Sequence, residues 1–232
     1  KYNIIIDYKK NIKKIITEIK NRNTPYNSLL ISEEKIKNQQ FELVKNIIND
    51  FKKLFIIVYH GKCLRLYIPQ KYIEKLLDCS KKETHLFEKG GIYKKTDFMN
   101  SINMLELPNN YYYINIDENK FDIKQIYKLL SQIIKNNIVK CKTVITITGK
   151  YGERGYSFTS DNYDKYSFHI TDQYFPCHVK IKNCTDISQR LRIQGKYNDN
   201  PNLTLWTTKI LRDIMEKFYI PFMKNIEKEI MN

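Results

Sequence analysis

The segment TVITIT (143–148) is apolar or β-branched at every position and runs straight into Gly149-Lys150. Such a run belongs inside a sheet that helices cover on both faces. The turn after it carries Gly149, Gly152 and Gly155, with Arg154 among them. Glycines let a backbone fold tightly and approach a ligand closely. A plain turn is the simpler reading, and glycines at this density argue against it. Downstream, DISQRLRIQGKY (186–197) has Ile187 and Leu191 four apart, as on one face of a helix that Asp186 can cap. That spacing brings Gln189, Arg190, Arg192 and Lys196 close together. A buried strand ending in a basic glycine loop, followed by an arginine-rich helix, offers the backbone N–H groups and guanidinium forks that phosphates need.

The rest of the chain repeats the alternation. NSLLIS (27–32), LFIIVY (54–59), YYYINI (111–116), SFHIT (167–171) and NLTLW (202–206) read as strands. Helical spacing covers 33–51, 98–105, 122–136 and 207–218, with Pro221 expected to break or kink the last and the tail 222–232 open to continuing as helix. LRLYIP (64–69) reads as an edge strand stopped by Pro69, and 70–77 as a short helix. Strands alternating with helices predict an α/β fold with a mostly parallel sheet flanked by helices. The spacing predicts a lead-in helix or linker over 1–26 and one domain over 27–232, with an insertion at 64–110. Ligands of such sheets sit at the carboxyl ends of the strands. His60-Gly61-Lys62 and Gly149-Lys150 fall there, and their cations suit backbone phosphates. His60 also has a plain reading, as a hydrogen-bonding residue at a strand end. Tyr111–Tyr113 could stack bases, but their neighbours read as core strand.

The formal charge of +15 favours a polyanionic partner, nucleic acid above all. The same richness in Lys, Ile, Asn and Tyr is what an AT-rich genome produces, so charge alone does not decide the matter. Five cysteines form no CxxC pair and read as reduced thiols of an intracellular protein. No apolar run approaches a membrane span, so no membrane partner is expected. A start at Lys1 suggests a piece of a longer protein. No paired carboxylates suit a nuclease metal site, and no Ser-His-Asp or Cys-His arrangement is legible.

In order and spacing these motifs resemble the second RecA-like domain of superfamily 2 helicases, over roughly residues 27–210. Ser28–Ser32 and the following helix resemble the motif IV region, and His60-Gly61-Lys62 the family's His-Gly after the next strand. Thr143–Phe158, with Arg154-Gly155, resembles motif V. Gln189–Lys196 resembles motif VI, the arginine-finger helix. The resemblance implies a fold of RecA type and a motor that hydrolyses ATP with Mg2+ between this domain and an upstream RecA-like domain. It implies Arg192 or Arg190 as the finger, with Gln189, Arg154, Gly155 and Lys196 near the nucleotide. His60, Gly61, Lys62, Gly149 and Lys150 would meet nucleic acid, DNA favoured over RNA. The compact form resembles divergent helicases of large DNA viruses or mobile elements, which would act at a cytoplasmic or viral replication site.

The chain departs from that pattern. Motif V usually has Thr where Gly149 stands, and Gln-Arg-Leu-Arg-Ile-Gln-Gly-Lys shifts the first finger by one position and ends on lysine. No G-x-x-x-x-G-K-[ST] loop occurs, so ATP and Mg2+ would be held mainly by the upstream domain. The alternative expectation is a non-hydrolysing, basic α/β module that grips nucleic acid.

Overall fold

The computed structural model describes residues 3–6, 12–32, 37–60, 63–73, 102–116, 123–135, 139–148, 169–175, 187, 191 and 203–231. Their strands are β1 (Asn3–Ile6), β2 (Asn27–Ser32), β3 (Phe55–His60), β4 (Cys63–Pro69), β5 (Ile102–Leu107), β6 (Tyr111–Ile116), β7 (Thr143–Thr148), β8 (Asp172–Phe175) and β9 (Thr204–Thr207). The helices are α1 (Ile12–Lys20), α2 (Lys37–Asp50), α3 (Ile123–Lys135), α4 (Lys209–Ile214) and α5 (Ile220–Met231), the last two joined by a π-helical segment, Met215–Tyr219.

The strands form one sheet in the order β1-β9-β8-β2-β7-β3-β4-β6-β5. From β1 to β3 every neighbouring pair is parallel. From β3 to β5 every pair is antiparallel. The fold is therefore α/β, with a mostly parallel sheet flanked by helices.

Alternation along the strands splits the core in two. Leu29, Ile31, Ile56, Val58, Ile145 and Ile147 pack with Ile15, Ile16 and Ile19 of α1 and Val44, Ile47 and Ile48 of α2. Leu30, Phe55, Ile57 and Val144 pack with α3, with Ile187 and Leu191, and with Leu211, Met215 and Tyr219 of the C-terminal helices. Successive strand residues point to opposite faces, so these are the two faces of the sheet. Crossovers toward the β5 edge, through α1 and α2, use the first face. Those toward the β1 edge, through α3 and through the chain bearing Ile187 and Leu191, use the second. All four thus share one hand, as parallel crossovers do.

Several expectations are corrected. Residues 3–6 are a strand paired with β9, and α1 buries three isoleucines against the sheet, so both belong to the domain rather than lead into it. Residues 102–107 are a strand, not part of a helix over 98–105. A short apolar run is ambiguous by periodicity, and hydrogen bonding to β6 decides it. β4 is interior, flanked by β3 and β6; Pro69 is tolerated because it is the strand's last residue. The strand expected at 167–171 lies at 172–175 instead, because buried Asp172 and Gln173 find internal partners there. Pro221 does not end the C-terminal helix. Just before it, the Ile220 N–H bonds to the Met215 carbonyl five residues back, and the wider turn carries the helix on to Met231. No helix among the described residues is long and apolar enough to cross a membrane.

Candidate functional site at the carboxyl edge of the sheet

β2, β3, β7, β8 and β9 end at Ser32, His60, Thr148, Phe175 and Thr207 on one edge of the sheet. The register levels them: Ser32 stands opposite Thr148, Tyr59 opposite Thr148, and Phe175 opposite Thr207. The connection leaving β2 heads for β3, while the one leaving β8 heads for β9. Connections diverging from two adjacent strands open a crevice at their carboxyl ends, the usual ligand position in such sheets. At this switch point the Gln173 Nε2 donates to the Ser32 Oγ at 3.3 Å. The Thr207 Oγ1 donates to the Phe175 carbonyl at 2.9 Å. The Thr148 hydroxyl is buried with no hydrogen-bond partner among the described residues. A buried polar atom in that condition calls for a specific account.

Of the sequence candidates, His60 is described through its backbone alone. It closes β3 and pairs with Cys63 of β4. Gly61 and Lys62 follow it, and Gly149 and Lys150 follow Thr148; these four lie outside the described residues. Their strands are neighbours, so both segments continue from adjoining strand ends. Arg154, Gly155, Gln189, Arg190, Arg192 and Lys196 also lie outside the described residues. Their flanks do not. Ile187 and Leu191 are both buried, and the Leu191 N–H bonds to the Ile187 carbonyl at 2.9 Å, a single helical turn. That pair anchors the motif on the same face as Phe175 and Leu205. The tyrosine run is core: Tyr111 and Tyr113 are buried, which removes them from base stacking.

Ser32, Thr148 and Gln173 are neutral donors and acceptors. Among the described residues no group of three His, Cys, Asp or Glu is arranged to hold a metal ion.

The opposite, amino edge holds the charged network that the sequence did not reveal. Asp172 is fully buried at the start of β8. It accepts from the Arg22 guanidinium at 2.9 and 3.0 Å, the Trp206 indole N–H at 2.8 Å and the Thr171 hydroxyl at 2.7 Å. Burial pushes its carboxyl pKa up, while Arg22, Trp206 and Thr171 hold it down. Such a satisfied network reads as structural. Nearby, burial lowers the pKa of His169, whose ring bonds the Ile170 carbonyl. Cys141 is a core thiol: burial pushes it up to about 11, and its Sγ donates to the Lys53 carbonyl at 2.9 Å.

Compared with known protein families, characterised proteins and solved structures, the chain finds no match. Its function is therefore argued from the residues themselves.

Proposed function

We propose that this chain is the C-terminal RecA-like half of an ATP-dependent nucleic-acid helicase or translocase, acting inside the cell at a replication site and on DNA in preference to RNA. The feature that supports the reading is the switch point between β2 and β8, where the connections of adjacent strands head in opposite directions. Its polar pair, Gln173 and Ser32, and the buried Thr148 hydroxyl line the strand ends from which the Gly149 loop continues. The triphosphate and Mg2+ would be held by an upstream domain, and this half would close over them. ATP supplies the phosphoryl group whose transfer drives the motor. Arg192, next to buried Leu191, is the finger: its guanidinium would meet negative charge developing on that phosphoryl group. In the cases studied, a finger is worth about 10³–10⁵ in rate. Lys196 is a weaker second contact, because an ammonium lacks the bidentate fork. His60, Lys62 and Lys150 would meet backbone phosphates.

The test is ATP hydrolysis by the protein that carries the upstream domain. Arg192→Ala abolishes turnover and leaves folding and nucleic-acid binding intact. If Arg190→Ala is the variant that kills turnover, the finger is Arg190. If neither affects it, the motor reading fails and the non-hydrolysing binding module replaces it.

A further inference from the structure

The amino edge of the sheet carries a feature that the motor reading leaves unused. Lys53 lies two residues before β3 and Lys142 one residue before β7, and these strands are neighbours. Phe55 stands opposite Val144, so the two lysines leave the sheet side by side. Lys140 lies two residues before Lys142, and the Cys141 thiol between them ties that turn to the Lys53 carbonyl. β4 runs antiparallel to β3, which returns its carboxyl end to this edge and sets Lys71 just beyond Pro69. Lys20, Lys52, Lys53, Lys71, Lys140 and Lys142 are all exposed. Carboxylates nearby are engaged: Asp50 with Lys13 at 2.9 Å, and Asp172 with Arg22.

The row ends in a cavity of about 380 Å³. Lys52, Pro69, Gln70, Lys71, Asn109 and Asn110 line it, and no carboxylate is among them. Its walls are pinned. Asn109 and Asn110 both take positive φ, 59° and 56°, a conformation costly to most residues and tolerated by asparagine. The Asn109 Nδ2 donates to the Ile48 carbonyl at 2.6 Å, fastening the β5–β6 turn to the end of α2. The Tyr111 hydroxyl accepts from the Leu54 N–H at 2.9 Å and donates to the Phe51 carbonyl at 3.2 Å, holding the turn that carries Lys52. The result is a recess bordered by Lys52 and Lys71, with the Asn109 amide engaged in holding its wall.

We propose that this edge is a phosphate-binding surface for a nucleic-acid strand, with one phosphate seated in the Lys52–Lys71 recess and its neighbours along Lys53, Lys142 and Lys140. Strands β7, β3 and β4 lie about 4.8 Å apart, so the row spans about 10 Å, the scale of a short run of phosphates. Lysine supplies the point charges that a phosphodiester backbone accepts without regard to sequence. The surface is on the far side of the sheet from the carboxyl edge, and it stands whether or not the chain belongs to an ATP-driven motor.

The test is fluorescence anisotropy with a labelled single-stranded oligodeoxynucleotide on the full chain, at about 50 and 200 mM salt. Lys52→Glu/Lys71→Glu is expected to weaken binding at least tenfold. Loss of two phosphate contacts lowers the slope of log affinity against log salt by about 1.4. A control of equal charge change, Lys217→Glu/Lys224→Glu on the C-terminal helices, is expected to stay within twofold. If the glutamate pair disturbs the circular dichroism, Lys52→Gln/Lys71→Gln takes its place, with a smaller loss in the same direction. Equal loss from both pairs makes net charge the cause and overturns the proposal, as does absence of binding at low salt. Binding to phosphatidylserine vesicles that depends on Lys52 and Lys71, without such dependence for the oligonucleotide, overturns it in favour of a membrane surface.

Discussion

The two edges of the sheet solve different problems. At the carboxyl edge the polar side chains Ser32, Gln173, Thr148 and Thr207 are neutral, joined by few bonds and leaving the buried Thr148 hydroxyl without a partner among the described residues. At the amino edge a buried carboxylate is surrounded by donors, a tyrosine hydroxyl locks a turn, and lysines project outward. Among the described residues both edges hold a buried hydroxyl without a partner, Thr148 at one and Ser28 and Tyr72 at the other, but the amino edge adds a paired buried carboxylate and a row of lysines facing solvent. In a parallel sheet the first arrangement suits chemistry that has to meet a ligand. The second suits stability and electrostatic grip.

Arg192→Ala is expected to have the largest effect and to separate the edges most sharply. In the protein with its upstream domain, hydrolysis falls by about 10³ or more. Urea unfolding is expected to stay unchanged, with the buried Ile187 and Leu191 left in place. A matching drop in stability would make Arg192 a structural residue and blur the comparison.

Next comes the amino edge's own core. Asp172→Ala removes the buried acceptor of the Trp206 N–H and of Arg22, which keeps Glu18 at 3.9 Å, and breaking a buried pair costs about 3–5 kcal/mol. Arg22 keeps some solvent contact, so the low end, about 3 kcal/mol, is expected in urea unfolding. A loss under about 1 kcal/mol would place the network on the level of a surface ion pair. Tyr111→Phe follows. It leaves the Leu54 N–H without its partner for about 1–3 kcal/mol, and nucleic-acid affinity should fall with it if the recess depends on that turn.

These residues also show what the sequence could and could not convey. Apolar runs such as TVITIT and NSLLIS are legible because both faces of an inner strand are buried, so every position carries the signal. The 102–107 strand was not, since only its partner β6 distinguishes it from a helix. β8 was misplaced because its first two residues, Asp172 and Gln173, look like surface. Their burial depends on Arg22, Trp206 and Ser32, each more than thirty residues away in the chain. At the carboxyl edge the strand runs that end at His60 and Thr148 were readable, while the glycines and arginines that follow them lie outside the described residues. The lysines before β3 and β7 were also in plain view, in Lys52-Lys53 and in Lys140-Cys141-Lys142. They passed as general basicity because nothing local reveals that two such turns are adjacent or that β4 brings Lys71 to join them.

The pH dependence of stability gives a smaller effect. Burial lowers the His169 pKa from its ordinary 6.5, so the folded chain keeps the ring neutral where the unfolded chain has begun to take up a proton. The histidine's penalty is absent above that ordinary value. Stability then declines as pH falls below it toward the folded pKa, by at most about 1.4 kcal/mol per pH unit. Chemical unfolding at pH 7.5 and 5.5 should show a decline that His169→Gln makes shallower. An unchanged slope would mean that the ring is solvated in the native state.

Thr148→Val is the smallest change and the most direct test of the contrast. Valine keeps the β-branched shape, so β7 and its packing persist. In a polar group satisfied by its neighbours, as Thr171 is by Asp172, losing the hydroxyl would destabilise the chain. Thr148 is the opposite case: its Oγ1 is buried with no partner among the described residues, and removing it relieves a desolvation penalty. Unfolding free energy is therefore expected to stay level or rise by about 1 kcal/mol. Thr171→Val, one edge away, should lower it by a similar amount. If the Thr148 hydroxyl is kept for a ligand, the stabilised variant should also lose nucleotide-dependent activity in the protein with its upstream domain. Stability gained together with activity lost is the signature expected of a polar atom held in reserve for a phosphate. A variant that is less stable would instead reveal a partner within the fold and take Thr148 out of the site.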